Sequence, residues 1–123
     1  MFISPYPHFS AEEFKKCVPP CNWNDMSPAF MQRLERCREI AGIPFILNSA
    51  LRSVAWEVSH GRSGNSLHTF GRAVDIRCYS NQDRYKIITS ALKCGFVRIG
   101  IGPNYIHLDD GQGNPCIWHY YNK

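Results

Sequence analysis

The chain has 123 residues, of which 44% are hydrophobic and 20% are charged, and its formal net charge is +4. This length and composition fit one globular domain and exclude a disordered or fibrous protein, and no apolar run is long enough to cross a membrane. The Lys and Arg residues are scattered, so the small positive charge does not predict a nucleic-acid-binding surface. We therefore predict a single domain over residues 1–123 that acts as a monomer.

The N-terminal third is predicted to be helical. Residues 10–13, with the sequence SAEE, form a capping box that starts a short helix, and the prolines at 19–20 prevent its continuation. Ser27 followed by Pro28 indicates the start of a longer helix, for which Gly42 is a natural end. Its apolar side chains recur at helical spacing and are predicted to face the core: Phe30, Met31, Leu34, Cys37, Ile40 and Ala41.

Beyond residue 43 the pattern becomes that of a sheet with one inserted helix. Strands are predicted over 44–52, 72–78, 96–102, 105–110 and 116–121. Residues 53–66 begin with helical spacing and then take on the Gly, Ser and Asn composition of a loop. Residues 81–95 form an amphipathic helix with four inward side chains, Ile87, Ile88, Ala91 and Leu92. The pattern predicts an α+β fold, with an antiparallel sheet, N-terminal helices and one inserted helix.

Six cysteines are many for this length and are enough for three disulfides. Cys17 and Cys21 flank a Pro-rich loop with little apolar mass, so we expect Cys17 to be paired, with Cys21 or Cys37 as its partner. Cys94 lies in a helical pattern and is expected to be a core thiol. Because no CxxC pair is present, neither a structural zinc at the cysteines nor a redox enzyme is expected.

Polar side chains of two predicted strands share one face of the sheet. The period of two puts His107 and Asp109 opposite the apolar residues of one strand, and Asp75 opposite those of the other. His68 precedes the strand of Asp75 by a glycine turn and can fold back over the same face. Two imidazoles and one carboxylate are a ligand set of catalytic zinc, which keeps a fourth position for water. The alternative is that they are ordinary polar residues of a sheet surface and a loop.

Several segments resemble one known family. The sequence NSLHTFGRAVDI, residues 65–76, matches the pattern S-x-H-x-x-G-x-A-x-D of the M15 zinc peptidases, a group of D-alanyl-D-alanine carboxypeptidases and peptidoglycan endopeptidases. ILNSALRS is similar to the family's S-x-Y-R-S segment, and RIGIG with YIHLD is similar to its closing strands. HFSAEEF is similar to the start of the short single-domain branch, and Trp118 falls where a late tryptophan is usual. The resemblance spans nearly the whole chain and implies a fold like that of hedgehog domains and DD-peptidases.

The resemblance also implies roles for particular residues. His68, Asp75 and His107 would be the zinc ligands. Arg52 would bind the substrate's carboxylate or steady the oxyanion, for which a planar guanidinium is suited. Ser66 would form a hydrogen bond to the peptide substrate.

The general base departs from the family pattern. Many members have an acidic residue three positions before the last histidine, where this chain has Asn104, which cannot accept a proton at neutral pH. Another branch has an acid two positions after that histidine, which Asp109 matches. Asp109 is therefore either the catalytic base or an acid that holds an imidazole by its free N–H. Asp110 is expected to point to the other face.

The implied function is a zinc-dependent peptidase that hydrolyses peptidoglycan stem peptides by metal-activated water, as a D-Ala-D-Ala carboxypeptidase or an endopeptidase. The alternative is a non-catalytic, zinc-containing module that binds cell wall or protein. The N-terminal stretch does not have the pattern of a secretory signal peptide. Either the protein stays inside the cell, or another route exports it, or the sequence is that of a mature form. The expected place of action is the bacterial wall, in the periplasm or outside the cell, which would fit a phage lysis or entry enzyme or a protein exported without a classical signal. Zn²⁺ is the expected cofactor, and peptidoglycan, not nucleic acid, is the expected partner.

Overall fold

The computed structural model describes residues 4–120. The helices are α1 (Ala11–Lys15), α2 (Pro28–Ala41), α3 (Val54–Ser59) and α4 (Asn81–Lys93), with 3₁₀ turns at Trp23–Asp25 and Leu67–Phe70. The strands are β1 (Leu47–Ser49), β2 (Ala73–Arg77), β3 (Arg98–Ile101), β4 (Tyr105–Asp109) and β5 (Cys116–His119). The predicted α+β class is confirmed. Within the described part of the chain, no helix is long and apolar enough to cross a membrane.

The five strands form one sheet in the order β1-β2-β4-β3-β5. The first three pairings, β1 with β2, β2 with β4 and β4 with β3, are antiparallel as predicted. β5 pairs with β3 in parallel, so the sheet is mixed. Because β2 and β3 already occupy both edges of β4, β5 joins the sheet beyond β3. It runs opposite to β4, as β3 does, and is therefore parallel to β3. Tyr121, the last residue of the predicted 116–121 strand, lies outside the described residues.

The long helix α2 begins and ends where the sequence predicts. The Ser27 hydroxyl accepts a hydrogen bond from the Phe30 amide at 3.4 Å, and Gly42 adopts a φ of +70° directly after the helix. Two predicted core residues are instead about half-exposed, Ile40 in α2 at 46% and Leu92 in α4 at 50%. At 100° per residue both lie well away from the centre of their helix's buried stripe, so the prediction made each stripe too wide.

All six cysteines lie within the described residues and are free thiols, so the disulfide expected for Cys17 is not formed, although its thiol does interact with that of Cys21, one of the two predicted partners. The Pro-rich loop is held by backbone hydrogen bonds instead. The Val18 amide donates to the Asn48 carbonyl at 2.8 Å, and the Cys21 amide donates to the Phe14 carbonyl at 3.1 Å. Cys17 is itself buried in the core. These contacts anchor the loop to β1 and to α1 without a covalent link.

Candidate metal centre

The three predicted ligands come together because of one strand pairing and one tight turn. Asp75 in β2 lies directly opposite His107 in β4. His68 lies on the 3₁₀ turn before β2, which ends at Gly71 with a φ of +67°. A Cβ at Gly71 would lie 2.7 Å from the Asp25 carbonyl oxygen, so only glycine fits this turn.

The geometry of the three side chains fits one metal ion. The Asp75 Oδ1 atom lies 3.0 Å from His107 Nδ1 and 3.6 Å from His68 Nε2, and all three potential ligand atoms lie within 4.8 Å of one another. A tetrahedral zinc with bonds of about 2.0–2.1 Å separates its ligand atoms by about 3.3 Å. Two nitrogens and one carboxylate oxygen are also donors that zinc prefers.

Each imidazole ring is oriented by a hydrogen bond at the ring nitrogen that does not face Asp75. The Nδ1 atom of His68 is 2.7 Å from the Ala50 carbonyl oxygen, to which it can only donate. The Nε2 atom of His107 is 2.7 Å from Asp109 Oδ2. Once those nitrogens alone carry protons, His68 Nε2 and His107 Nδ1 would direct their lone pairs toward the side of Asp75, as metal ligation requires.

Arg52 holds the second oxygen of the Asp75 carboxylate. Its guanidinium donates to Asp75 Oδ2 at 3.0 Å, to Ser49 Oγ at 2.9 Å and to Glu57 Oε2 at 3.4 Å. The Ser66 hydroxyl donates to the same Glu57 oxygen at 2.6 Å. Both residues predicted to bind substrate, Arg52 and Ser66, are therefore in the site, and both are already bonded to one buried carboxylate.

Asp109 lies behind His107. It is 3% exposed and accepts hydrogen bonds from the Arg98 Nε atom at 2.7 Å and from the Gly111 amide at 2.9 Å, besides its contact with His107. The sequence leaves two roles open for Asp109, and these contacts favour holding the imidazole of His107 over acting as the catalytic base. Asp110 pairs with Arg72 at 2.7 Å instead.

The charges of the centre stabilise each other. Burial alone would lower the pKa of His107, but its hydrogen bonds to Asp109 and Asp75 raise it to about 9. Burial alone would raise the pKa of Asp75, but hydrogen bonds to His107 and His68 hold it well below its usual range. In the metal-free centre, protonated His107 and ionised Asp75 thus form an ion pair. The proton on His107 Nδ1 must leave before this atom can bind a metal.

A pocket of about 410 Å³ opens over the three predicted ligands. Its wall contains Tyr105, which the period of two places on the same strand face as His107, and residues that the sequence pattern does not single out, namely Glu57, Arg62, Ser63 and Tyr120. The Glu57 side chain is completely buried, and its Oε1 atom has no hydrogen-bond partner among residues 4–120. A usable signal was the capping serine at position 53, which starts α3 and places Glu57 one turn into it, close to Arg52.

Trp118 in β5 packs against His107 in β4 across the intervening strand β3. The ring centroids of Trp118 and His107 are 5.6 Å apart, and Gly100 lies opposite His107 in the register of β3 and β4. A Cβ at Gly100 would lie 2.9 Å from the Trp118 indole. Trp118 can thus reach His107, a predicted ligand, because β3 has no side chain at Gly100, between the two rings.

Comparisons with known proteins identify a family and a similar fold. The sequence profile of the family described as Peptidase M15 matches residues 7–109. The crystal structure of the Serratia marcescens L-Ala D-Glu endopeptidase ChiX is similar to this chain, with a TM-score of 0.55 and 18% sequence identity over 80% of this chain and 88% of that chain. At this identity the likeness is one of fold. No curated protein matches the sequence.

Proposed function

The chain belongs to the peptidase M15 family, and from this premise we propose that it is a zinc-dependent peptidase acting on the stem peptides of bacterial peptidoglycan. The observation that carries the proposal is the convergence of His68 Nε2, Asp75 Oδ1 and His107 Nδ1 at one point of a pocket wall. The endopeptidase activity of the structurally similar ChiX supports the same class of reaction. In this proposal one domain acts as a monomer on the wall, in the periplasm or outside the cell.

A zinc ion held by these three side chains would supply an activated water and polarise the scissile carbonyl. The protein's part is to keep the ligands in place. Arg52 orients the carboxylate of Asp75, and Asp109 orients the ring of His107. Since each of these partners is itself buried or nearly buried, the ligands are held in one geometry before any metal arrives.

Peptide hydrolysis also needs a group that accepts a proton from the attacking water and passes it to the leaving amine. Two carboxylates flank the ligands, Asp109 behind His107 and Glu57 in the pocket wall. We propose that Asp109 acts through His107 as a positioning residue. Glu57, whose Oε1 atom has no hydrogen-bond partner among the residues that the structure describes, then supplies the proton acceptor. Glu57→Gln should then keep zinc and lose turnover, whereas Asp109→Asn should lower zinc affinity as well.

Digestion of purified muropeptides, read by mass spectrometry, tests the proposal. The wild-type protein should release defined fragments that identify the bond, whether D-Ala-D-Ala, L-Ala-D-Glu or a cross-link. A chelator should stop the reaction, zinc should restore it, and His68→Ala should be inactive with and without added zinc. A wild-type protein that holds zinc and cuts no muropeptide would favour the alternative, a zinc-containing module that binds the wall.

A further inference from the structure

Arg52, the arginine nearest the metal ligands, already has its charge balanced by two carboxylates. It lies between Asp75 and Glu57, and its Nε atom is used by Ser49. Only 12% of its side chain is exposed. A guanidinium whose N–H groups are divided between two carboxylates has little attraction left for a third. A carboxylate on the substrate therefore needs a different cation.

A second guanidinium lies at the rim of the same pocket. Arg62 is exposed and lines the pocket, and no carboxylate within the described part of the chain forms an ion pair with it. Its Cζ atom lies 5.4 Å from the centroid of the Trp56 ring, the same distance as the Cζ atom of Arg52. The backbone amide of Arg62 donates to the Glu57 carbonyl at 2.9 Å, directly after Gly61 at a φ of +78°. The side chain is thus placed by its backbone and by the indole, and its N–H groups remain available.

We infer that Arg62 binds a carboxylate of the substrate, and that Arg52 instead holds Asp75 and Glu57 in place. The inference rests on the proposed peptidase function and specifies its substrate class: peptides with a free carboxylate close to the scissile bond. A guanidinium that already rests on an aromatic ring loses less side-chain freedom on binding, and its planar N–H groups match both oxygens of a carboxylate.

Two groups of a stem peptide offer this chemistry. One is the C-terminal carboxylate of a terminal D-Ala, and the other is the free carboxyl of an internal D-Glu. Two pairs of synthetic stem peptides separate them, one pair differing by carboxylate or carboxamide at the C-terminus and the other at D-Glu. Dissociation constants are measured with chelator-treated protein, which binds without turnover, and kcat and KM with the zinc-loaded protein.

The wild-type protein should bind the carboxylate peptide of one pair roughly tenfold to a hundredfold more tightly than its carboxamide partner. Arg62→Gln should abolish that preference by weakening only the carboxylate peptide, with KM raised and kcat little changed. Arg62→Lys should restore part of it. Lys86→Gln, which removes the same charge from an exposed position of α4 outside the pocket, should behave as wild type.

A carboxylate preference that survives Arg62→Gln would overturn the inference, and so would a wild-type protein with no preference in either pair. The binding measurement decides this point without catalysis. Zinc-loaded protein that binds the carboxylate peptides through Arg62 but cuts none of them would count against the proposed peptidase and leave the assignment of Arg62 intact.

Discussion

Replacing Arg52 by methionine is expected to lower the free energy of unfolding by about 3–5 kcal/mol, the cost of leaving a buried charge without its partner. The magnitude comes mainly from Glu57, whose side chain is 0% exposed and, among residues 4–120, would retain only the Ser66 hydroxyl as a partner. Asp75 contributes less, because it is 14% exposed and keeps both histidines as partners. The aliphatic part of the methionine fills similar space, so the lost charge, not a cavity, dominates.

Urea unfolding in the presence of a chelator measures this cost without a contribution from metal binding. Arg72→Met is the matched control, because Arg72 also pairs with a carboxylate, that of Asp110, but is 38% exposed. Arg72→Met should lower the free energy of unfolding by about 1 kcal/mol or less. The double variant Arg52→Met with Glu57→Gln should recover much of the stability lost by Arg52→Met alone. If Arg52→Met costs no more than Arg72→Met, Arg52 is not a structural link, and the substrate-binding role predicted from the sequence regains support.

Three further predictions concern the metal centre. Asp109→Asn should weaken zinc binding by about 10–100-fold in chelator competition, whereas Asp110→Asn should leave it unchanged; equal zinc affinity in both variants would contradict the role given to Asp109. Because the pKa of His107 is raised from 6.5 to about 9, its protonation stabilises the metal-free fold below pH 6.5 and this contribution is lost as the pH rises through 9. Zinc competes with that proton, so its affinity should rise by about tenfold per pH unit up to about pH 9, and a flat profile between pH 7 and 9 would exclude a protonated His107. Gly100→Ala should displace Trp118, which lowers the free energy of unfolding by about 1–3 kcal/mol in thermal unfolding and changes the tryptophan fluorescence. Neither change would occur if Trp118 and His107 did not pack against each other over Gly100.

The strand pattern predicted the core of the site well. The period of two placed Asp75 and His107 on one face, and the antiparallel register makes them direct neighbours. The limits of α2 also followed from the sequence, because Ser27 and Gly42 act through local backbone chemistry. Such features depend on residues a few positions apart, or on the alternation of a single strand.

Contacts between distant segments could not be read in this way. The period of two puts Asp109 beside His107, but only the approach of Arg98 from β3 explains why its carboxylate is held behind the imidazole. The cap at Ser53 could have placed Glu57 near Arg52, but a glutamate in a short helix is ordinarily solvated, so its complete burial was not predictable from that signal. In our proposal, the distribution of charge between these segments decides which arginine binds the substrate's carboxylate.

Elemental analysis of the purified protein tests the central claim, that His68, Asp75 and His107 form one zinc centre. The wild-type protein should contain one zinc per chain, and His107→Ala should contain almost none. His60→Ala is the control, because this exposed histidine stacks on Trp56 at 3.8 Å and is not one of the three converging ligands, and it should retain one zinc. Undiminished zinc in His107→Ala would contradict the account.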